Sequence, residues 1–382
     1  MLLDAGADVN AQGGEYGNAL QTASSRGYEA VVKLLLENGA DVNAQDGNYG
    51  NALYVASGRG YEQVVKLLLE NGADVNAQGG EYGNALQAAS QGGHEQAVQL
   101  LIKNGVDVNA QSGEYGNALQ AASYRVRGAI VKLLLENGAD VNAQDGEYGN
   151  ALQTASSRGH EAVVKLLLEN GTDVNAQGGV YRNALEAASS GGHEQIGKLL
   201  LDKGVNAQSG YYGNALQAAS YSGHEAVVRL LLENGADVNA QGGEYGNALE
   251  AALYRGREAV VKLLVENGAN VNGQGKAYGK AYGVILREAS DRGHDAIVKL
   301  LVENGVDVNA QLIKYKQELS AALTGGCKQE AKLLLEKGAS LHVLDKIHYR
   351  AAEDALYKGH IRIVESSAIH SRQLHTEVTR QL

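Results

Sequence analysis

The chain has 382 residues, including 50 glycines, but no proline, phenylalanine or tryptophan. A conventional core in a chain this long draws on large aromatics, so their absence excludes an ordinary globule built on one or two cores. The net charge of −11 excludes nucleic acid and anionic membrane as main partners, because phosphate binding runs on clustered Lys and Arg.

Residues 1–12 read as the end of a repeat, with Leu2 and Leu3 matching Leu35 and Leu36 further on. This start suggests a partial amino-terminal repeat belonging to a longer array. From there a leucine recurs at Leu20, Leu53, Leu86, Leu119, Leu152, Leu185, Leu216, Leu249, Leu286 and Leu319, with Ala352 in the eleventh place. The period is 33 residues. It shortens to 31 before Leu216, where two residues are missing, and lengthens to 37 before Leu286, through a tandem Lys-Ala-Tyr-Gly.

Residues 13–45 show what one unit contains. Asn18 followed three residues later by Gln21 is a capping box, so a helix of about eight residues starts at Ala19 and ends near Gly27. A second helix is expected over residues 29–38. Its Val31, Val32, Leu34, Leu35 and Leu36 form an apolar band too wide for a surface helix, which neighbouring units must cover. Gly39 stops it, and residues 40–50 read as an extended, hairpin-like loop. Neither helix is long enough to stand alone, so the units must stack. A small residue at Ala23, Ala56, Ala89, Ala122 and the equivalent later places permits close helix approach. Ten such units fill residues 13–344, a degenerate capping unit 345–365 and a polar tail 366–382. Val126-Arg127 in place of Gly-His, the missing pair before Val205 and Val284 in place of the cap Asn are expected interruptions.

Motifs that carry chemistry fail on inspection. His94-Glu95 has Val98 where a zinc helix needs its second His, and Asp74-Val75-Asn76 begins a calcium loop whose twelfth position is Ala85. No glycine-rich segment ends in Gly-Lys-Ser or Gly-Lys-Thr. Neither catalysis, a metal nor a cofactor is expected. The single Cys327 allows no intrachain disulfide, and no apolar run reaches 18 residues, so a cytoplasmic chain without a membrane span is expected.

The 33-residue period, Gly159-His160, Gly223-His224 and Gly293-His294 between the helices, and Gly39-Ala40-Asp41-Val42-Asn43-Ala44 after the second together resemble the ankyrin repeat family. The resemblance covers about residues 1–364. It implies an all-α solenoid of stacked helix-turn-helix units with hairpin-like loops, and a turn-stabilising hydrogen bond from the His after each Gly. The Thr-Pro-Leu-His of the family is Asn-Ala-Leu-Gln here. The Tyr-Gly-Asn-Ala-Leu-Gln variant further resembles ankyrin arrays of fungal NACHT/STAND-type receptors.

Variation between copies concentrates at the loop tips, at helix-1 positions Gln21, Tyr54, Glu186 and Glu250, expected on its exposed side, and at the end of helix 1. In ankyrin-like stacks these places line the concave side. Tyr and Arg dominate interface hot spots, which selects Tyr54, Arg59, Tyr124, Arg125, Arg158, Tyr211, Tyr221, Tyr254, Arg255 and Arg292 as candidate partner-binding residues. The nearly constant row Tyr16, Tyr49, Tyr82, Tyr115, Tyr148 and onwards is expected to pack over neighbouring loops with its hydroxyls in water. The reading is a monomeric, non-enzymatic scaffold binding an acidic or amphipathic protein segment. The alternative is a targeting or sensor array of a larger fungal signalling or NTPase-linked protein.

Overall fold

The computed structural model describes residues 6–13, 17–45, 50–144, 146–205, 215–242, 245–272 and 294–306. The chain divides into two compact units, Met1–Asn206 and Ala207–Leu382, with the division at the two-residue deletion. The first contains α1 (Ala19–Ser25), α2 (Glu29–Glu37), α3 (Ala52–Arg59), α4 (Glu62–Glu70), α5 (Ala85–Gly92), α6 (Glu95–Lys103), α7 (Ala118–Tyr124), α8 (Gly128–Glu136), α9 (Ala151–Arg158), α10 (Glu161–Glu169), α11 (Ala184–Gly191) and α12 (Glu194–Asp202). The second contains α13 (Ala215–Ser222), α14 (Glu225–Glu233), α15 (Ala248–Tyr254), α16 (Glu258–Glu266) and α17 (Asp295–Glu303). Among the described residues there are only isolated bridges besides helices, such as Gln78 with Asn84, and these close the loops. The fold is an all-α solenoid of paired helices. The expected capping unit and polar tail lie outside the described residues.

Each helix 1 starts where the side chains predict. The Asn18 side chain accepts from the Gln21 N–H at 2.9 Å, and the Gln21 side chain accepts from the Asn18 N–H at 2.8 Å. Gln21 also reaches forward, its Nε2 donating to the carbonyl of Gly50 at 2.8 Å and of Ala44 at 3.2 Å. Gln87 does the same to Ala110, Ser112 and Gly116, and Gln153 to Ala176 and Arg182. At α1, α5 and α9 the next repeat's loop therefore folds over the first turn of helix 1. This corrects the expectation that Gln21, Tyr54, Glu186 and Glu250 face solvent: all four are buried.

The second helices supply the layer between repeats. Val163, Val164 and Leu167 of α10 are wholly buried, and the alanine column from Ala56 to Ala252 is sealed. On α2 the band is half open, with Val31 at 44% and Leu34 at 51% exposure, whereas Val64, in the place of Val31 one repeat on, is at 1%. Helices α4, α6, α8, α10 and α12 are each covered on that side by the second helix of the repeat before.

A second inter-repeat ladder runs through the loops. Asn10, Asn43, Asn76, Asn109 and Asn142 each accept, through Oδ1, the backbone N–H of Asp41, Asp74, Asp107, Asp140 and Asp173 in the following repeat at 2.7–2.8 Å. The sequence reading found the Asp-Val-Asn-Ala segment but not this use of its Asn.

Candidate functional site

The turn between the helices sets the geometry of the site. Its central glycine is left-handed at Gly60, Gly93, Gly159 and Gly192, and a Cβ at Gly60 would lie 2.3 Å from the His94 ring of the next repeat. That histidine closes the turn. His94 Nε2–H donates to Gly58 O at 3.1 Å, His160 to Tyr124 O at 3.0 Å and His193 to Ser157 O at 3.2 Å, each onto the helix-1 end of the repeat before it. The expected hydrogen-bonding role of these histidines is present, and it ties repeats together. Where Arg replaces His the bond persists: Arg127 Nη2 donates to Gly92 O at 3.0 Å and Arg257 Nε to Tyr221 O at 3.3 Å. Val126-Arg127 thus keeps the junction, but Val126 occupies the left-handed place with φ of 62° and its side chain 54% exposed. A β-branched residue there is strained.

Tyr124, the last residue of α7, lies between two loop tyrosines, its ring centroid 4.8 Å from Tyr115 and 5.7 Å from Tyr148. Tyr82 extends the row, 5.8 Å from Tyr115. The Arg158 guanidinium, one repeat on, sits 3.8 Å over the Tyr124 ring, and that of Arg125 lies 5.5 Å from the same ring. In the second compact unit Tyr221, Tyr245 and Tyr254 form a comparable group, with centroids 4.7–6.4 Å apart and Arg255 4.7 Å from Tyr221. Both stacks follow one rule of position. A Tyr in the last turn of helix 1 is followed, one repeat and one residue later, by an Arg: Tyr124 by Arg158, and Tyr221 by Arg255.

Charge distinguishes these arginines from the rest of the surface. On the second helices Lys33, Lys66, Lys132 and Lys262 each face a Glu four residues on, and Arg229 faces Glu225. Among the described residues no carboxylate lies within ion-pairing distance of Arg125, Arg158 or Arg255. Burial, then the neighbouring Glu residues of the loops, raises the hydroxyl pKa of Tyr82 and Tyr148, and the same two causes lead at Tyr115. The row is therefore neutral at physiological pH, and the guanidiniums carry its charge.

Of the residues selected from sequence, Tyr124, Arg125 and Arg158 come together, as do Tyr221, Tyr254 and Arg255. Arg59 is exposed but stacks on no tyrosine, since the repeat before it has Ser25 where Tyr124 stands later. Tyr54 is not a surface residue: at 6% exposure it packs with Val55 and Ala88, and its hydroxyl accepts the Tyr82 N–H at 3.1 Å. It stands where other repeats have the buried Gln. Tyr211 and Arg292 lie outside the described residues. Of the loop tyrosines, Tyr82, Tyr115, Tyr148 and Tyr245 pack against neighbouring rings, while Tyr16 and Tyr49 lie outside the described residues; the Tyr115 hydroxyl bonds the Gln91 side chain instead of standing free in water. The participation of the loop row in the cluster was missed; its signal was the regular offset between Tyr115, Tyr124 and Tyr148.

Among the described residues no group of three His, Cys, Asp or Glu could hold a metal ion, and no helix is long and apolar enough to cross a membrane.

Stacked short helix pairs joined by bridged loops and tied by repeated hydrogen bonds define a helical repeat protein. A family model described as ankyrin repeats (3 copies) matches residues 1–79, 79–145, 152–242 and 185–275; one for ankyrin repeats (many copies) matches 127–168, and one for a single ankyrin repeat matches 285–311. The chain belongs to the ankyrin repeat family. Such repeats are in general protein-interaction modules, and the fold is typically a non-catalytic scaffold. A comparison with curated proteins finds no match.

Proposed function

We propose that this chain is a non-enzymatic scaffold that binds a protein partner through the helix-1 ends and loop tips, the side expected to be concave. The observation that carries this reading is the pair of tyrosine–arginine stacks, whose guanidiniums have no carboxylate partner among the described residues, while the helix-2 cations face their own glutamates. Tyr and Arg bring large rigid contact area and strong directional donors, the properties of interface hot spots. A free monomer in the cytoplasm fits the single cysteine and the net charge of −11. The test is a pull-down with the whole chain as bait, repeated with Tyr124, Arg125, Tyr254 and Arg255 all replaced by Ala. Binding should weaken at least tenfold with helicity retained, and Lys132→Ala with Glu136→Ala should leave it unchanged. If the helix-2 pair abolishes binding while the fourfold variant binds normally, the face is wrong.

The Tyr-Gly-Asn-Ala-Leu-Gln variant supports a narrower reading, in which the array senses or targets for a larger fungal signalling protein. A phosphate-binding loop encoded in the same reading frame would favour it, and a transcript encoding only ankyrin repeats would count against it.

A further inference from the structure

Resting on that reading, we infer that Arg125, Val126 and Arg158 form a subsite for an extended peptide segment that carries a carboxylate side chain next to an apolar one. The Arg158 guanidinium carbon sits 3.8 Å from the Tyr124 ring centroid, and a guanidinium that meets a ring with its face keeps its in-plane N–H groups for other partners. Those edges match a carboxylate in a two-pronged hydrogen bond. Arg125 approaches the same ring, so two like charges share one aromatic surface with, among the described residues, no carboxylate within ion-pairing distance. An arriving carboxylate relieves that repulsion. Because the stack already restricts the Arg158 side chain, less rotamer freedom is lost when the partner docks.

The apolar half of the preference comes from Val126. Glycine fills the same left-handed position at Gly60, Gly93, Gly159 and Gly192, so the fold does not require a side chain there. A strained β-branched residue, 54% exposed and next in sequence to Arg125, is the kind of outlier that marks a functional place, and it offers an exposed apolar side chain at the same turn as Arg125. Glu81, Glu114 and Glu147 on the loops border the tyrosine row and repel a long polyanion. A short acidic–apolar segment fits; a nucleic acid or an unbroken acidic tract does not. The Arg255 stack lacks the apolar element, because Gly223 stands two residues after Tyr221, where Val126 follows Tyr124, so the preference belongs to the Tyr124 site.

The test uses a random 12-residue peptide library displayed against the full chain, with the affinities of enriched synthetic peptides then measured by calorimetry. Enriched peptides should carry Asp or Glu beside Leu, Ile, Val or Phe. They should bind at least tenfold more weakly to the Arg125→Gln/Arg158→Gln variant, several-fold more weakly to Val126→Gly, and unchanged to Arg255→Gln, with circular dichroism confirming that each variant is folded. Peptides without an acidic residue, equal binding by the Arg125→Gln/Arg158→Gln variant, or no enrichment at all would overturn the inference. Two further outcomes separate this subsite from the broader reading. Loss of peptide binding only on replacing Tyr221, Tyr254 and Arg255 would refute the subsite and leave the binding face standing, whereas insensitivity to every Tyr and Arg change would refute both.

Discussion

Tyr54 and Tyr124 both sit on first helices of their repeats, two repeats apart, and meet opposite fates. Tyr54 is the third residue of α3, and the next repeat's loop covers it, so it becomes core and its hydroxyl serves the Tyr82 backbone. Tyr124 is the last residue of α7, where the next repeat's loop approaches only with the Tyr148 ring, so one face stays open to an arginine from the following repeat. A side chain's role in this stack is decided by where the neighbouring repeat lays its loop, and only secondarily by the helix that carries it.

The sharpest way to break that comparison is to remove what both regions share, the inter-repeat layer. Leu167→Ala in α10 should cost ~2–5 kcal/mol, because Leu167 is wholly buried and its neighbours cannot close the cavity; chemical denaturation measures it. The capping change Asn150→Ala should cost about 1 kcal/mol. A reversed order would remove the second helices from the core.

Next comes the buried position at the start of helix 1. Tyr54→Phe should destabilise by about 1 kcal/mol, since it leaves the Tyr82 N–H without its acceptor. The same deletion at a solvent-facing tyrosine would be neutral, so no loss of stability would return Tyr54 to the surface.

A change in the other direction is expected at Val126. Val126→Gly removes the left-handed strain at some cost in backbone entropy, and should stabilise by about 0.5–1 kcal/mol. The opposite exchange, Gly60→Val, should destabilise, because a Cβ there meets the His94 ring.

The smallest effect is on pH dependence. Burial lowers the pKa of His94 and His160 below its ordinary value near 6.5; Arg127 adds to this at His94, against the opposing Gly58 carbonyl, and Arg158 and His193 add to it at His160. The unfolded chain then binds more protons than the folded one in mildly acid solution. Their contribution is complete above pH 6.5 and is lost as pH falls below it. Thermal melts of the His94→Gln/His160→Gln variant should show a shallower loss of stability than the wild type between about pH 7 and 5; an equal slope would mean that these rings do not titrate differently on folding.

Much of the fold was legible from period and punctuation. The 33-residue recurrence, the Asn-x-x-Gln caps and the glycines after each helix placed α1 within a residue of its observed end and α2 one residue too long. The burial of Gln21, Tyr54, Glu186 and Glu250 was not legible, because a helical wheel describes one helix and the covering loop belongs to the next repeat. Half of the site could be read for the opposite reason. Tyr124, Arg125 and Arg158 lie at helix ends, which the loops do not bury, while the stacking of Arg158 on the tyrosine before it, and of the loop tyrosines around it, needs the register between repeats, which a single unit does not contain. Val126 read as a break in the turn motif, and its backbone instead keeps the common path at the expense of strain.

The most direct measurement is a hydrogen-exchange footprint of the full chain with and without a saturating, display-selected peptide. The account expects added protection at the amides of residues 124–128 and 158–160, with residues 132–136 on the opposite helix unchanged. Protection confined to 132–136, with 124–128 exchanging as in the free chain, would contradict it.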